Sequence, residues 1–135
     1  PSLCLLEPTV ISVGRGTEMQ FQIYGHPKLP KTNFSFTPIP NYGSKNPKLK
    51  NQLCHGTDLR NIDYPKKIEL QWLIQAYRDF PDKEIFFKKG FNRIAGNKSL
   101  QMQLAQGLGE EQIRKTWEKD LEKFQNIRKK YLIYP

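Results

Sequence analysis

Two cysteines and two histidines in 135 residues leave little material for disulfide or metal chemistry. Cys4 and Cys54 are too few for a disulfide framework or a cysteine zinc site, and neither they nor His26 and His55 stand at metal-ligand spacing. No metal and no cofactor are therefore expected. The two thiols would pair only in an oxidising compartment and only within bridging distance; two buried free thiols are the open alternative. No stretch of about twenty apolar residues exists, so no membrane span is expected. Also absent are a signal peptide, an internal repeat and a disordered tail. The opening Pro1-Ser2-Leu3-Cys4-Leu5-Leu6 has no initiator Met and enters at once into an apolar run. It reads as a piece cut from a longer polypeptide, so missing targeting information says little about the parent.

The length suits one ordinary domain, able to bury roughly two-thirds of its unfolded surface. A formal charge of +9 raises the question of nucleic acid, because clustered Lys and Arg neutralise phosphates. The lysines are scattered instead, through Pro27–Lys50, Lys83–Lys98 and the last thirty or so residues. No helix-turn-helix, zinc-finger or ribonucleoprotein signature accompanies them. The expectation is a basic, solvated surface without a nucleic-acid partner.

Along the chain, Leu3–Leu6 reads as a short buried strand, and Phe21-Gln22-Ile23-Tyr24 alternates as a strand does before Gly25-His26-Pro27 ends it. Five prolines between Pro27 and Pro47 exclude a helix there. That segment is expected to be a long ordered connection with an extended piece around Asn33–Thr37. "LCHGTDLRNI" predicts a strand on one or both sides of Gly56. Ile68, Trp72, Leu73, Ala76, Tyr77 and Phe80 recur at helical spacing between Pro65 and Pro81, which predicts a core helix whose aromatics serve packing rather than ligand stacking.

Ile85-Phe86-Phe87 reads as a strand or extended stretch, and Ser99–Gln106 as a short helix closed by Gly107. In the last helix Ile113, Trp117, Leu121, Phe124, Ile127 or Arg128, and Tyr131 form one stripe beneath a charged outer face. Glu110 and Glu111 open it, paired to Arg114 and Lys115, and Arg128–Lys130 close it. The fold class implied is α+β: a small mixed or antiparallel sheet with about three helices, mostly in the C-terminal half.

The sharpest local feature is Ser12-Val13-Gly14-Arg15-Gly16-Thr17, between two stretches of β character. A dinucleotide fingerprint would need a third glycine and a following helix, and a phosphate loop would need Gly-Lys-Ser/Thr; both are absent. Glycines around Arg15 allow positive φ and close approach of backbone or ligand. The guanidinium matches a carboxylate in geometry. Ser12 and Thr17 supply hydroxyls, either to a ligand or to cap the turn. Ligand binding and a structural turn with Arg15 in an ion pair both remain open on chemistry alone.

The run "CLLEPTVISVGRGTEMQFQIYGHP", Cys4–Pro27, resembles the Glu-Gly-Thr…Ser-x-Gly-Arg-Gly-Thr…Pro-Phe…Gly-x-Pro signature of the exo-β-N-acetylmuramidase family. "FTPIP" at Phe36–Pro40, "LCHG" at Leu53–Gly56 and "WEKDLEKFQNIRKKYLIYP" from Trp117 fit in order. The resemblance runs end to end but covers only the family's C-terminal domain. Pro8 stands where the family often has Gly, and Glu18-Met19-Gln20 replaces a short Thr/Pro link. The resemblance implies a single domain, residues 1–135, preceded in its parent by a Rossmann-like N-terminal domain that carries the main catalytic carboxylate. It also implies a parent that removes N-acetylmuramic acid from the non-reducing end of peptidoglycan fragments, in the periplasm or at the bacterial cell surface.

Glycosidases commonly use two carboxyl groups across the scissile bond. Here Glu7 lies beside the Gly-Arg-Gly turn, as a candidate acid or base or as a structural partner of Arg15. Ser12, Gly14, Arg15, Gly16 and Thr17 are the candidate substrate-binding residues, with Arg15 for a lactyl carboxylate, and Tyr42 either stacks on a sugar or packs. The expected partners are the N-terminal catalytic domain and muropeptides or muramic sugars, and this domain alone is expected to be inactive. The alternatives are a non-catalytic glycan- or protein-interaction module and a basic nucleic-acid-binding domain.

Overall fold

The computed structural model describes residues 2–63 and 66–134. Three short strands, β1 (Ile23–His26), β2 (Ser35–Phe36) and β3 (Cys54–Asp58), form an antiparallel sheet in the order β1-β3-β2. Tyr24 faces Thr57, Gly25 faces Gly56, and Phe36 faces Cys54. The pairing of two glycines is required by closeness: a Cβ on Gly56 would stand 1.8 Å from the Tyr24 carbonyl oxygen. On its other edge β1 is bridged by Ser12, which exchanges two backbone hydrogen bonds with Gly25 at 2.9 Å each.

Among the described residues six α-helices follow: α1 (Gln71–Asp79), α2 (Lys83–Phe86), α3 (Phe91–Ala95), α4 (Ser99–Ala105), α5 (Glu110–Lys115) and α6 (Glu118–Arg128). The α+β class holds, with more helices than the three expected, because several are single turns. The main core is built by Leu70, Leu73, Ala76 and Phe80 at helical spacing, against Leu6 and Ile11 from the N-terminal segment. Phe86 and Phe91 complete it, with Phe80 and Phe86 ring centroids 5.8 Å apart. Burial of each such side chain contributes about 1.5–3 kcal/mol. The aromatics of the α1 region serve packing, as their spacing predicts: Tyr77 stacks on Phe87 at 5.2 Å. The helix boundary expected at Pro65 lies outside the described residues. At the other end Lys83 Nζ donates to the carbonyls of Tyr77, Arg78 and Phe80, which satisfies acceptors that a helix C-terminus leaves open.

Ser2–Leu6 is a 3-10 helix rather than the strand expected from its apolar run. Leu3 and Leu6 are three apart and both buried while Cys4 is exposed, a spacing that eclipses on a 3-10 turn. Ile85 and Phe86 lie in α2 rather than in a strand, because the Asp82 carboxylate accepts from the Glu84 amide and starts a turn. Only Phe87 is extended, and it bridges Thr9. Phe21 and Gln22 belong to a turn before β1, Phe21 with φ of +57°.

The single last helix of the sequence reading is two. The break falls at Thr116 and Trp117, with the Thr116 hydroxyl donating to the Ile113 carbonyl at 2.7 Å. Ile113 is buried and Trp117 packs partly on the core, but no residue of α6 is buried. The stripe from Leu121 onward therefore faces solvent. Glu110 pairs with Arg114 as expected, whereas among the described residues no ion pair joins Glu111 to Lys115. Burial alone would raise the Glu110 carboxyl; hydrogen bonds involving Glu69 and Arg114 outweigh it and hold it below its ordinary range.

Candidate functional site: the Gly-Arg-Gly turn

Gly14 and Gly16 both adopt left-handed backbone, with φ of +79° and +81°. Besides that conformation, each has no room for a side chain. A Cβ on Gly14 would meet the Met19 carbonyl at 2.7 Å, and one on Gly16 would meet the Ile39 carbonyl at 2.8 Å and Pro47 Cγ at 2.7 Å. The two glycines thus bend the chain so that Arg15 projects outward while its neighbours lie pressed against the fold.

The hydroxyls brace this turn. Thr17 Oγ1 donates to the Gly14 carbonyl at 2.7 Å and accepts from the Met19 amide at 3.0 Å. Ser12 is buried, and its Oγ accepts from the Gly14 amide at 3.4 Å. Glu7 and Arg15 come together: Arg15 Nε donates to Glu7 Oε1 at 3.1 Å. The same guanidinium lies over the Phe21 ring, 4.9 Å from its centroid. Its side chain is 47% exposed, and among the described hydrogen bonds and ion pairs none uses its terminal nitrogens. The result is a guanidinium fixed on one side and open on the other.

The proline-rich connection packs onto this turn. The Ile39 amide donates to the Gly16 carbonyl at 2.8 Å, and Pro47 touches Gly16. Between those two points the chain makes a tight turn in which Asn41 and Ser44 exchange backbone hydrogen bonds. Tyr42 stands in that turn with a relative exposure of 103%, so it packs against nothing, contrary to the packing role set out above. Lys48 fastens the connection from beneath. Its Nζ donates to the carbonyls of Glu7, Thr9 and Ile11 at 2.9, 2.8 and 2.7 Å. Burial pushes the Lys48 amine down to about 8.

Phe21 links the turn to an open cleft of about 420 Å³. Phe21, Leu59, Ile62 and Trp72 give it apolar walls, and Lys66 and Lys67 stand at it as well. The sequence reading missed Lys48, Phe21 and this cleft. The Phe21 ring follows the Gly-Arg-Gly turn by only five residues and was legible as an aromatic near an arginine, but Lys48 is one basic residue among 22 and carried no signal. The two cysteines are free, with Cys54 buried and its thiol raised by desolvation to about 12. Cys4 is exposed, so only one of the two thiols fits the buried alternative.

Two of the quoted sequence pieces meet directly, since Phe36 of "FTPIP" pairs with Cys54 of "LCHG" across β2 and β3. The fold is shared with a protein of known structure. The chain is 39% identical to a DUF1343 family protein from Bacteroides fragilis NCTC 9343 of known crystal structure, superposing with a TM-score of 0.93 over 99% of this chain and 39% of that one. It is 33% identical to the peptidoglycan β-N-acetylmuramidase NamZ of Bacillus subtilis (strain 168), over 99% of this chain and 36% of the relative. The chain thus spans somewhat more than a third of the length of these relatives. Residues 1–134 match the family model described as exo-β-N-acetylmuramidase NamZ, C-terminal, and the chain belongs to that family.

Proposed function

We propose that this domain completes the substrate cleft of a longer glycoside hydrolase that removes N-acetylmuramic acid from the non-reducing end of peptidoglycan fragments. The observation that carries the reading is the half-engaged Arg15: Glu7 and Phe21 hold it in place while its terminal nitrogens stay open. Muramic acid differs from N-acetylglucosamine by a lactyl ether whose carboxylate accepts a guanidinium fork. Ser12, Gly14, Gly16 and Thr17 shape the turn that presents Arg15, and Tyr42 supplies an exposed ring for a sugar face.

In this reading Glu7 orients Arg15. The carboxylate that acts on the glycosidic bond lies in a Rossmann-like domain preceding this one in the same polypeptide, and the 135 residues alone do not turn over. The enzyme works where peptidoglycan is, in the periplasm or at the cell surface.

The test is release of chromophore from a chromogenic β-N-acetylmuraminide by this chain and by the longer polypeptide that carries it. Turnover by the longer form only, with affinity for the muraminide weakened in Arg15→Ala, is the expected result. Turnover by the isolated chain would move the catalytic pair here, and unchanged affinity in Arg15→Ala would remove Arg15 from the cleft.

A further inference from the structure

The last fourteen described residues hold an apolar surface that the fold does not use. Leu121, Phe124, Ile127 and Tyr131 are 51%, 60%, 56% and 78% exposed, and Leu132, Ile133 and Tyr134 are exposed beyond them. At 100° per residue Leu121, Phe124 and Ile127 of α6 fall within one face about 120° wide, with Tyr131 following in a 3-10 turn (Lys129–Tyr131), whereas Lys119, Glu122 and Lys123 lie on the other. Within the stripe sit two charges of opposite sign, Asp120, which Lys123 Nζ approaches at 3.8 Å, and Arg128. The face begins at Trp117, which packs partly on the core, so α6 runs off the core as a strut. A helix this polar overall, with mixed charges on one side and a stripe of large apolar groups on the other, is organised to bury that stripe against something.

We propose that this stripe is the seat of the preceding part of the same polypeptide, through an apolar surface on that part that carries an acidic group to meet Arg128. This rests on the reading of the chain as one portion of a longer enzyme. Two observations select this occupant. The relatives are far longer than the chain, which covers 36% and 39% of them, so a second body is part of such polypeptides. A second copy of this chain is disfavoured by charge, each copy carrying a formal +9. Docked in this way, α6 sets the angle between the two bodies, and with it the opening of any cleft lined by the Arg15 turn.

The test reads amide hydrogen exchange over residues 118–134 in the 135-residue chain and in the longer polypeptide, with sedimentation of both. It is independent of turnover, so it can fail while the hydrolase reading stands, and the reverse. Expected are fast exchange in the isolated chain and exchange at least about tenfold slower in the longer form. The slowing should be lost in the doubly substituted Phe124→Asp, Ile127→Asp protein, whose isolated domain keeps its melting temperature because neither side chain is buried. Equal exchange in the two forms overturns the proposal. So does slow exchange in the isolated chain together with a doubled sedimenting mass, which would assign the face to a second copy.

Discussion

Arg15 Nε donates to Glu7 Oε1 at 3.1 Å, across a sequence separation of eight residues, while the guanidinium lies on the Phe21 ring. An exposed pair of this kind contributes about 0–1 kcal/mol to stability. Arg15→Ala and Glu7→Gln should therefore leave the denaturant midpoint of the domain nearly unchanged. In the longer enzyme, Arg15→Ala should weaken binding of a muramic sugar roughly 10–100-fold, the size of one or two charge-assisted hydrogen bonds. Arg15→Lys should recover little of it, because an ammonium does not reproduce the fork. Chemical denaturation checks the first expectation, and isothermal titration with the two Arg15 variants checks the binding ones.

Gly16 is held by both conformation and contact. In Gly16→Ala the new methyl meets Pro47 and the Ile39 carbonyl at a residue with φ of +81°. We expect a loss of about 1–3 kcal/mol, together with faster exchange of the Ile39 amide, which donates to Gly16. Chemical denaturation gives the first quantity and residue-resolved exchange the second.

Lys48 donates to three backbone carbonyls that lie in a partly buried stretch. Lys48→Met removes all three donors and leaves the acceptors without a partner, a loss of roughly 2–4 kcal/mol. The melting temperature should fall by about 10 °C. A fall of less than two degrees would mean that water replaces the ammonium without penalty.

His26 is buried, with burial first and then the positive charges of Lys28, Lys48 and Lys88 lowering its imidazole to about 4. The Lys28 amide donates to His26 Nδ1 at 2.9 Å, which requires an unprotonated nitrogen there. The unfolded chain binds this proton near pH 6.5 and the native one only near 4, so between those values the unfolded state holds more protons. Stability from this residue is complete above about pH 6.5, falls as the pH drops toward 4, and is level below that. Urea midpoints at pH 7 and pH 5 should differ by about 1–2 kcal/mol of stability in the parent. In His26→Gln that contribution to the difference should disappear.

The two thiols should separate cleanly in reactivity. Cys4 is exposed, and Cys54 is enclosed with its thiol raised to about 12. An aromatic disulfide reagent at pH 8 should label one thiol per native chain within minutes and the second only after denaturation. Labelling of both at equal rates would contradict the burial of β3 against β2.

Periodicity and caps made parts of this fold legible. The α1 core face, the short helix before Gly107, the extended piece at Ser35–Phe36 and the strand around Gly56 all follow from apolar spacing and turn residues. Where the same letters suit two geometries, the contacts decide. Leu3–Leu6 fits a strand or a 3-10 turn equally well until Leu3 and Leu6 are seen to need the same side. Ile85-Phe86 has strand-forming side chains, but the Asp82 carboxylate caps the chain just before them and starts a helical turn. The spacing of the α6 stripe predicts a helix with one apolar face, and it carries no sign that this face stays in solvent within the 135 residues. At the site, the glycine bracket was readable because only a left-handed, crowded turn calls for two glycines so placed. Lys48 was not, because its importance comes from three carbonyls that the chain brings to it over separations of 37 to 41 residues.

The Lys48 ammonium makes the stretch from Glu7 to Lys48 behave as a ring without any covalent closure. The exposed turn around Tyr42 lies on that ring, so a protease that cuts there opens a bond without freeing an end. The two fragments should travel together through a sizing column and part only when the protein is unfolded.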